Sequence, residues 1–409
     1  MPILWGQSGS PLSPIFGQRA IAHVNRLATS PRVAGTPGER RAGRYVAEQF
    51  RRAGLQVAEE SFPFQTFELR TATIEIDQRK VPVLRLGFDP YKDTKQLDGQ
   101  ALVIEPASND SSGAYAGLGI EDKIVVTLSN ARFYPLLSQR PRAIAFVAPG
   151  DFEVMRLLTG KQARIVIDGA VQRRTSVNIV GRQKGAQGGE EILITAHLDS
   201  VATPGANDNA SGVAVLIELV RPLLALNLPV PLQFVSFGAE EPGFIGSRTF
   251  LQRHLEDLRH CRLVFNFDSV AGPGPMRAET ADGVRGVPPE LGTQLPGDMV
   301  GEALDDINER WSLLRQERTR LFTSNVPPWL QETIRVAAEA SGRPYLPGRQ
   351  MGSDHLTFAQ AGIVSTNVAV VGGHVHTAED TVSNVNVNSL ELAGRFALSV
   401  IQATALRTG

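Results

Sequence analysis

From residue 177 onward the chain alternates strand-like, loop and helical segments. Strand-like apolar runs occur at 177–180, 191–196, 232–237, 262–267 and 363–371. Helical patterns occur at 210–226, 244–254, 327–342 and 388–405. Strands that alternate with helices indicate parallel pairing, with the helices covering the sheet. This part of the chain therefore predicts an α/β fold with a mixed, mostly parallel sheet flanked by helices.

The first half of the chain has a different texture. Residues 17–54 show helical spacing that is interrupted by a loop at Gly35-Thr36-Pro37-Gly38, and strand patterns follow at 71–76 and 81–86. Between 87 and 172, short β-like runs alternate with turn residues, which predicts an inserted, mostly β subdomain. We expect 1–86 and 173–409 to form one main domain around this insertion. The Gly/Pro-rich stretch 272–325, with a helical pattern at 302–320, is expected to be a surface excursion.

Composition excludes several functional classes. The 409 residues carry a net charge of -1, so the sequence indicates neither a nucleic-acid partner nor binding to an anionic membrane surface. The single cysteine, Cys261, excludes an intrachain disulfide bond. No apolar run has the length of a membrane span, and residues 1–16 lack the pattern of a signal peptide. We therefore expect a soluble protein that is cytoplasmic, or exported if a leader has been removed.

Acidic and histidine side chains follow the strand-like runs of the second half. They are His197 and Asp199, Asp208, Glu240 and Glu241, Asp268, and His376. Ligands of α/β sheets collect beyond the carboxyl ends of the strands, so residues far apart in sequence are expected to meet there. This set contains the two histidines, the three carboxylate ligands and the further carboxylate that a two-metal hydrolase needs.

The spacing within these segments suggests a division of labour. His197 and Asp199 share one face of an extended chain, so Asp199 could hold the second ring nitrogen of a metal-bound His197. Asp208 has two carboxylate oxygens with which to bridge two ions. Adjacent carboxylates repel, so Glu240 and Glu241 indicate a nearby positive charge, with one residue free to handle protons. Taken singly, each residue has a plainer explanation, such as a solvated pair or a helix N-cap, but the ordered set favours a site.

These segments resemble the co-catalytic zinc aminopeptidases of metallopeptidase family twenty-eight. The resemblance covers about 20–55 and 175–405. The motifs that carry it are His197-Leu198-Asp199-Ser200, Gly205-Ala206-Asn207-Asp208-Asn209-Ala210-Ser211-Gly212, Glu240-Glu241 with Gly243 and Gly246-Ser247, and His376-Thr377 with Asp380-Thr381. The loop Gly35-Thr36-Pro37-Gly38 is also similar to that family, and the insertion 87–172 resembles a protease-associated domain.

The resemblance implies a zinc exopeptidase type of fold and a role for each residue. His197 and Asp268 would bind one zinc ion, Glu241 and His376 would bind the other, and Asp208 would bridge them. Glu240 would act as general base on a metal-bridging water, and Asp199 would orient His197. The substrates would be peptides with a free N-terminus. Because all donors are nitrogen or oxygen, cobalt or manganese could replace zinc.

The chain departs from the family pattern at the group that supports the oxyanion. Some members have a tyrosine there, whereas here Val375 precedes His376 and Gln350 precedes the Ser353-Asp354-His355 segment. His355, Tyr345 and Gln350 are therefore candidates for contacts with the substrate or the oxyanion.

Other functions stay open at this point. A carboxypeptidase or amidase on the same scaffold would need an arginine for the substrate carboxylate, with Arg248, Arg277 and Arg349 as candidates. A non-catalytic binding module predicts the loss of metal ligands, and a glutaminyl cyclase would be expected to use one zinc ion. The complete ligand set argues against both. The preferred N-terminal residue and the oligomeric state are not readable from the sequence.

Overall fold

A computed structural model describes most of the chain. The described residues are 16–88, 95–106, 115–128, 136, 139–184, 190–279, 326–341, 345–348, 352–370 and 372–407. The strands are β1 (Gln56–Ile76), β2 (Arg79–Pro82), β3 (Arg85–Gly87), β4 (Gln96–Val103), β5 (Ile124–Leu128), β6 (Ala143–Val147), β7 (Gln162–Arg182), β8 (Ile192–His197), β9 (Leu232–Phe237), β10 (Leu263–Phe267), β11 (Met276–Glu279), β12 (Tyr345–Gly348) and β13 (Ser365–Val370). The α-helices are α1 (Phe16–Leu27), α2 (Pro37–Arg52), α3 (Pro149–Met155), α4 (Gly212–Ala225), α5 (Ile245–Leu258), α6 (Pro328–Ala340), α7 (His355–Gln360) and α8 (Val387–Ala405).

The chain forms two compact units and passes between them within β1 and within β7. The first unit contains the described residues of 1–63, 175–285 and 321–409, and the second contains those of 64–174. Strands of the first unit follow the order β12-β11-β13-β10-β8-β9-β7. The four central strands β13, β10, β8 and β9 are parallel, whereas β7 is antiparallel to β9 and β11 is antiparallel to β13. The predicted α/β class with a mixed, mostly parallel sheet is confirmed.

Strands β8, β9 and β10 are buried along their whole length, as expected for a parallel sheet covered by helices on both faces. Alternate residues of β8 point to opposite sides, so Ile192 and Ile194 join one core cluster while Leu193 joins another. The first cluster includes residues of α1, α2, α4 and α8. The second cluster includes Phe250 of α5 and Phe358 of α7. The carboxyl ends of the parallel strands are thereby left as the place where polar loops gather.

The second unit has a separate core and is mostly β structure. Strands β4, β5 and β6 are parallel, β3 pairs with β6, and β1 forms a hairpin with β2. The two residues of the hairpin turn, Asp77 and Gln78, have positive φ angles of 50° and 67°, as a two-residue hairpin loop favours. Phe152 and Met155 of α3 pack into the apolar cluster of this unit. The predicted domain limits at 87 and 172, and the likeness to a protease-associated domain, stay predictions.

Three elements differ from the sequence expectations. Strand β1 runs continuously from Gln56, whereas the sequence predicted only its last part at 71–76. Residues Met276–Glu279 form strand β11, which pairs with β12 and β13, instead of a surface excursion, and Met276 and Ala278 are buried. Helix α7, six residues long, is too short for its periodicity to be recognised. The helix predicted at 302–320 lies outside the described residues. None of the helices that the structure describes has the length and apolar character of a membrane span.

Gly246, at the start of α5, sits where no side chain fits. A Cβ atom at this position would lie 2.0 Å from the carbonyl oxygen of Gly238 and 2.6 Å from Asn178 Oδ1. Asn178 cannot move easily, because it accepts from the Gly238 N–H at 3.1 Å and donates to the Gly246 carbonyl at 2.9 Å. These contacts anchor the segment that follows β9.

We expect Gly246→Ala to lower the free energy of unfolding by about 1–3 kcal/mol, because the added methyl group must displace backbone. The control is Gly43→Ala in α2, where a Cβ would make ordinary contacts at 3.4 Å or more. Alanine favours a helix over glycine by up to about 1 kcal/mol, so the control should be neutral or stabilising. Urea unfolding measures both variants, and equal stability of the two would contradict the close contact at Gly246.

Candidate metal centre

The five predicted metal ligands lie together at the carboxyl edge of the parallel strands. Each is buried, with at most 7% of its surface exposed. Three overlapping groups offer ligand atoms within 4.8 Å of one another. The groups are His197, Asp208 and Asp268; His197, Glu240 and Glu241; and Asp208, Glu241 and His376.

Asp208 lies between the two histidines. Its Oδ1 is 3.1 Å from His197 Nε2, and its Oδ2 is 2.9 Å from His376 Nε2. Each histidine also faces one further carboxylate: Asp268 Oδ1 is 3.6 Å from His197 Nε2, and Glu241 Oε2 is 3.2 Å from His376 Nε2. One histidine and one carboxylate therefore stand on each side of a shared aspartate, which is the arrangement expected for a pair of bridged ions.

The sheet explains why these side chains meet. His197 is the last residue of β8, Asp268 directly follows β10, and Glu241 follows β9. These strands are neighbours and parallel, so their carboxyl ends point to one edge. His376 reaches the same edge in the segment after β13, which pairs with β10. Asp208 precedes α4, in a loop that returns from the end of β8.

The electrostatics of the cluster call for a cation. Burial alone would lower the pKa of His197, but Glu240 and the neighbouring aspartates raise it well above the ordinary value. Burial opposes a raised pKa in His376 as well, and Glu241 and Asp208 overcome it. Burial would raise the pKa of Asp208, yet the interactions with both histidines lower it. Imidazole nitrogens and carboxylate oxygens that attract this much positive charge fit a divalent ion such as zinc.

Asp199 makes contacts that the sequence did not reveal. Its Oδ1 accepts the backbone N–H of Glu240 at 3.0 Å, and its Oδ2 accepts that of Glu241 at 3.1 Å. The distance from His197 Nδ1 to Asp199 Oδ1 is 3.7 Å, which is longer than a hydrogen bond. Asp199 thus fixes the backbone of the Glu240-Glu241 pair, while its orienting role toward His197 stays a prediction.

Asp380 holds the Asp208 loop in a similar way. Its two oxygens accept the N–H groups of Asn207 at 2.6 Å and Asp208 at 3.0 Å. Burial raises the pKa of Asp380 to about 7. Asn209 ties the loop to the end of β10, because its side chain donates to the Phe267 carbonyl at 2.8 Å and accepts from the Ser269 N–H at 3.2 Å. These residues lie inside the recognised motifs, but spacing alone gives them no role.

The structure gives less information on the residues predicted to contact the substrate. His355 begins α7 and is fully buried, and its carbonyl accepts the Ser365 hydroxyl at 3.0 Å. Tyr345 is the first residue of β12, and Gln350 lies outside the described residues. Arg248 lies in α5 and Arg277 in β11. The oxyanion partner therefore stays a prediction.

A buried carboxyl group from the N-terminal part of the chain lies beside the turn that leads to Glu240. Glu39 Oε2 accepts the Gly35 N–H at 2.7 Å, and its Oε1 accepts the Ser176 hydroxyl at 2.5 Å. Glu39 also accepts a hydrogen bond from the backbone of Ala239. Burial, together with the charge of Asp199, raises the pKa of Glu39 to about 8.

Comparisons with known proteins agree with this geometry. Residues 178–285 match the model of Peptidase family M28, a stretch that contains His197, Asp208, Glu241 and Asp268. The chain is 27% identical to Aminopeptidase YwaD from Bacillus subtilis (strain 168), over 95% of this chain and 85% of that protein. The predicted resemblance to this family is confirmed by the match to its model and by the aminopeptidase relative.

Solved structures share the fold. An aminopeptidase from Aneurinibacillus sp. strain AM-1 superposes with a TM-score of 0.65 at 20% identity, covering 96% of this chain and 94% of that one. BSAP, a zinc aminopeptidase from Bacillus subtilis, superposes with a TM-score of 0.61 at 21% identity, covering 95% and 94%. The α/β architecture is therefore common to these proteins over nearly their whole length.

We expect Glu39 to give the metal-free protein a pH-dependent stability. Its pKa is about 8 in the folded chain and 4.5 ordinarily, so the folded state retains a proton that the unfolded state releases. The free energy of unfolding that this proton contributes is fully present below about pH 4.5. It falls by about 1.4 kcal/mol per pH unit as the pH rises toward 8. Glu39→Gln carries no such proton, so we expect the stability of the wild type relative to this variant to fall between pH 5.5 and 8.5.

Urea unfolding of the chelator-treated proteins checks this expectation. Glu48→Gln serves as the control, because Glu48 lies on the same helix but is exposed beside Arg52. The free-energy difference between the wild type and Glu48→Gln should not change with pH in this range. A difference between the wild type and Glu39→Gln that is equally flat would show that Glu39 is ionised in the folded state.

Proposed function

We propose that the chain is a zinc-dependent aminopeptidase that removes N-terminal residues from peptides, with Glu240 as the general base. The broader assignment, a metallo-aminopeptidase, is supported by the match to the Peptidase family M28 model and by the relatives, which are named as aminopeptidases. One observation carries the finer proposal: Asp208 turns one oxygen toward each of two histidines, with a further carboxylate on either side.

The donor set supports two zinc ions. His197 and Asp268 would hold one ion, Glu241 and His376 the other, and Asp208 both. This division uses each nitrogen and carboxylate on the side where it already lies. When bound, zinc would polarise the scissile carbonyl and lower the pKa of a nearby water molecule.

Glu240 is the residue proposed to move the proton. Its carboxylate is buried and lies in one group with His197 and Glu241, so it borders the metal ligands. It would accept a proton from the attacking water and deliver it to the departing amine. Asp199 contributes by accepting the Glu240 N–H, which fixes the backbone that carries the base.

The excess of carboxylates over histidines supports a preference for a free α-amine. The cluster holds Asp208, Asp268, Glu240 and Glu241 against two histidines, and all are buried. With zinc bound, the ions would balance much of this negative charge, and a carboxylate near the metals would still be placed to neutralise an ammonium group at the substrate N-terminus. The substrates proposed are therefore short peptides with an unmodified N-terminus.

A matched panel of short peptides with free and acetylated N-termini tests this function. We expect release of N-terminal residues from the free peptides only, because acetylation removes the positive charge that the carboxylates recognise. A chelator should abolish the activity, and added zinc should restore it. Cleavage of both sets, or release of C-terminal residues, would indicate an amidase or a carboxypeptidase. Bound metal without cleavage of either set would indicate a binding module.

The same Glu→Gln substitution at the adjacent residues Glu240 and Glu241 gives two matched variants, each the control for the other. Glu240→Gln should lower kcat by about 10²–10⁴-fold with zinc stoichiometry unchanged, because it removes the proton acceptor and leaves the ligands in place. Glu241→Gln should instead lower the amount of zinc bound. Metal analysis of the purified variants, alongside steady-state kinetics, separates the two effects. A Glu240→Gln variant with wild-type kcat, or one that loses zinc as Glu241→Gln does, would contradict the assigned roles.

A further inference from the structure

Arg32 is a buried cation whose side chain binds the loop between two predicted metal ligands. Only 1% of its surface is exposed. Its Nε donates to the carbonyl of Leu198 at 2.9 Å, its Nη1 to that of Pro204 at 2.7 Å, and its Nη2 to that of Gly205 at 2.9 Å. Its backbone N–H also donates to the Ser200 hydroxyl at 3.0 Å. One guanidinium thus donates hydrogen bonds to three carbonyl groups of a single loop.

This loop, residues 198–205, joins His197 to the segment that carries Asp208. It is folded tightly against the guanidinium at Gly205, where a Cβ atom would lie 2.3 Å from the Asp208 carbonyl and 3.0 Å from Arg32 Nη2. Gly205 also has a φ of +60°, a conformation that glycine adopts without strain. The path of the loop is therefore determined by its contacts with Arg32.

Asp380 binds backbone N–H groups of the same stretch of chain. While Arg32 binds the carbonyls of Pro204 and Gly205, Asp380 accepts the N–H groups of Asn207 and Asp208. The Asp380 carbonyl accepts the Ala206 N–H at 3.2 Å as well. Residues 204–208 are consequently held between a buried cation and a buried acid. These contacts fix the backbone from which the Asp208 side chain extends.

The charge of Arg32 also acts on the ligand cluster. Burial lowers its pKa, whereas the carboxylates of Asp380, Asp199, Asp208 and Glu241 act in the opposite direction. A guanidinium stays protonated under these conditions, so it is a permanent positive charge beside the acids. A lysine would keep the charge but present its donors from one atom, and could not span three carbonyls as a planar fork does.

We propose that Arg32 is a positioning residue of the metal centre, holding the 198–205 loop so that Asp208 faces both His197 and His376 before an ion binds. The inference rests on the proposed zinc site. It also gives a purpose to the N-terminal loop around Gly35-Thr36-Pro37-Gly38, which directly follows Arg32 and contributes no ligand.

The test compares zinc affinity in Arg32→Met, Arg32→Lys and the control Arg41→Met. Arg41 lies nearby in sequence but is exposed, with its side chain on the Ser30 hydroxyl. Each full-length protein is stripped of metal and titrated with zinc against a chromophoric chelator, and circular dichroism gives the folded fraction. We expect the zinc Kd of both Arg32 variants to rise by about 10–100-fold, as for residues that support metal ligands. Arg41→Met should match the wild type.

The affinity of the folded fraction separates positioning from a purely structural role. An arginine that only stabilised the fold would lower the free energy of unfolding and leave this affinity unchanged. A wild-type Kd in either folded Arg32 variant would therefore overturn the proposal, and Arg32→Lys decides the matter if Arg32→Met does not fold. If the wild type and the Arg32 variants bind zinc with equal affinity, the proposed role of Arg32 is overturned while the proposed zinc site stands. A wild type that binds no zinc overturns the proposed function as well.

Discussion

The candidate centre depends on keeping several carboxylates close together in a buried place. Asp199, Asp208, Glu240, Glu241, Asp268 and Asp380 are each at most 7% exposed. Charges of one sign in a region of low dielectric repel strongly, and their burial also removes hydration. The surrounding structure must offset both effects. It does so with backbone N–H groups, with one buried guanidinium and with the two histidines, and the proposed pair of zinc ions would supply further positive charge.

Backbone hydrogen bonds have a precise role in this balance. Asp199 accepts two consecutive N–H groups at the Glu240-Glu241 pair, and Asp380 accepts two consecutive N–H groups at Asn207 and Asp208. In each case an acid that is not a predicted ligand fixes the backbone of an acid that is. The two N–H bonds hold the turn in each case, and at Asp380 they favour the ionised carboxylate, although burial outweighs them and raises its pKa to about 7. Two further acids, Asp199 and Asp380, thus hold the backbone that carries the predicted ligands.

The sequence predicted the part of this design that depends on local pattern. Apolar runs mark the strands, and polar residues at their ends mark the edge where ligands meet, so His197, Glu241 and Asp268 could be assigned together. Arg32 could not be assigned in this way, because its contacts with Leu198 and Gly205 span 166 and 173 residues of chain. Glu39 was missed for the same reason, since Ser176 lies 137 residues away. Their burial becomes visible only when the helices have packed on the sheet.

Arg32 and Glu39 also explain why the N-terminal segment belongs to the centre. Arg32 holds the loop that leads to Asp208, while Glu39 accepts from Ala239 in the turn that leads to Glu240. The two residues are joined by one short loop, and Glu39 lies in the first turn of α2, where the helix geometry fixes its position. One short stretch of chain therefore contacts both the loop that leads to Asp208, the proposed bridging ligand, and the turn that leads to Glu240, the proposed base. We expect a change in this stretch to alter the position of the proposed ligand relative to the proposed base.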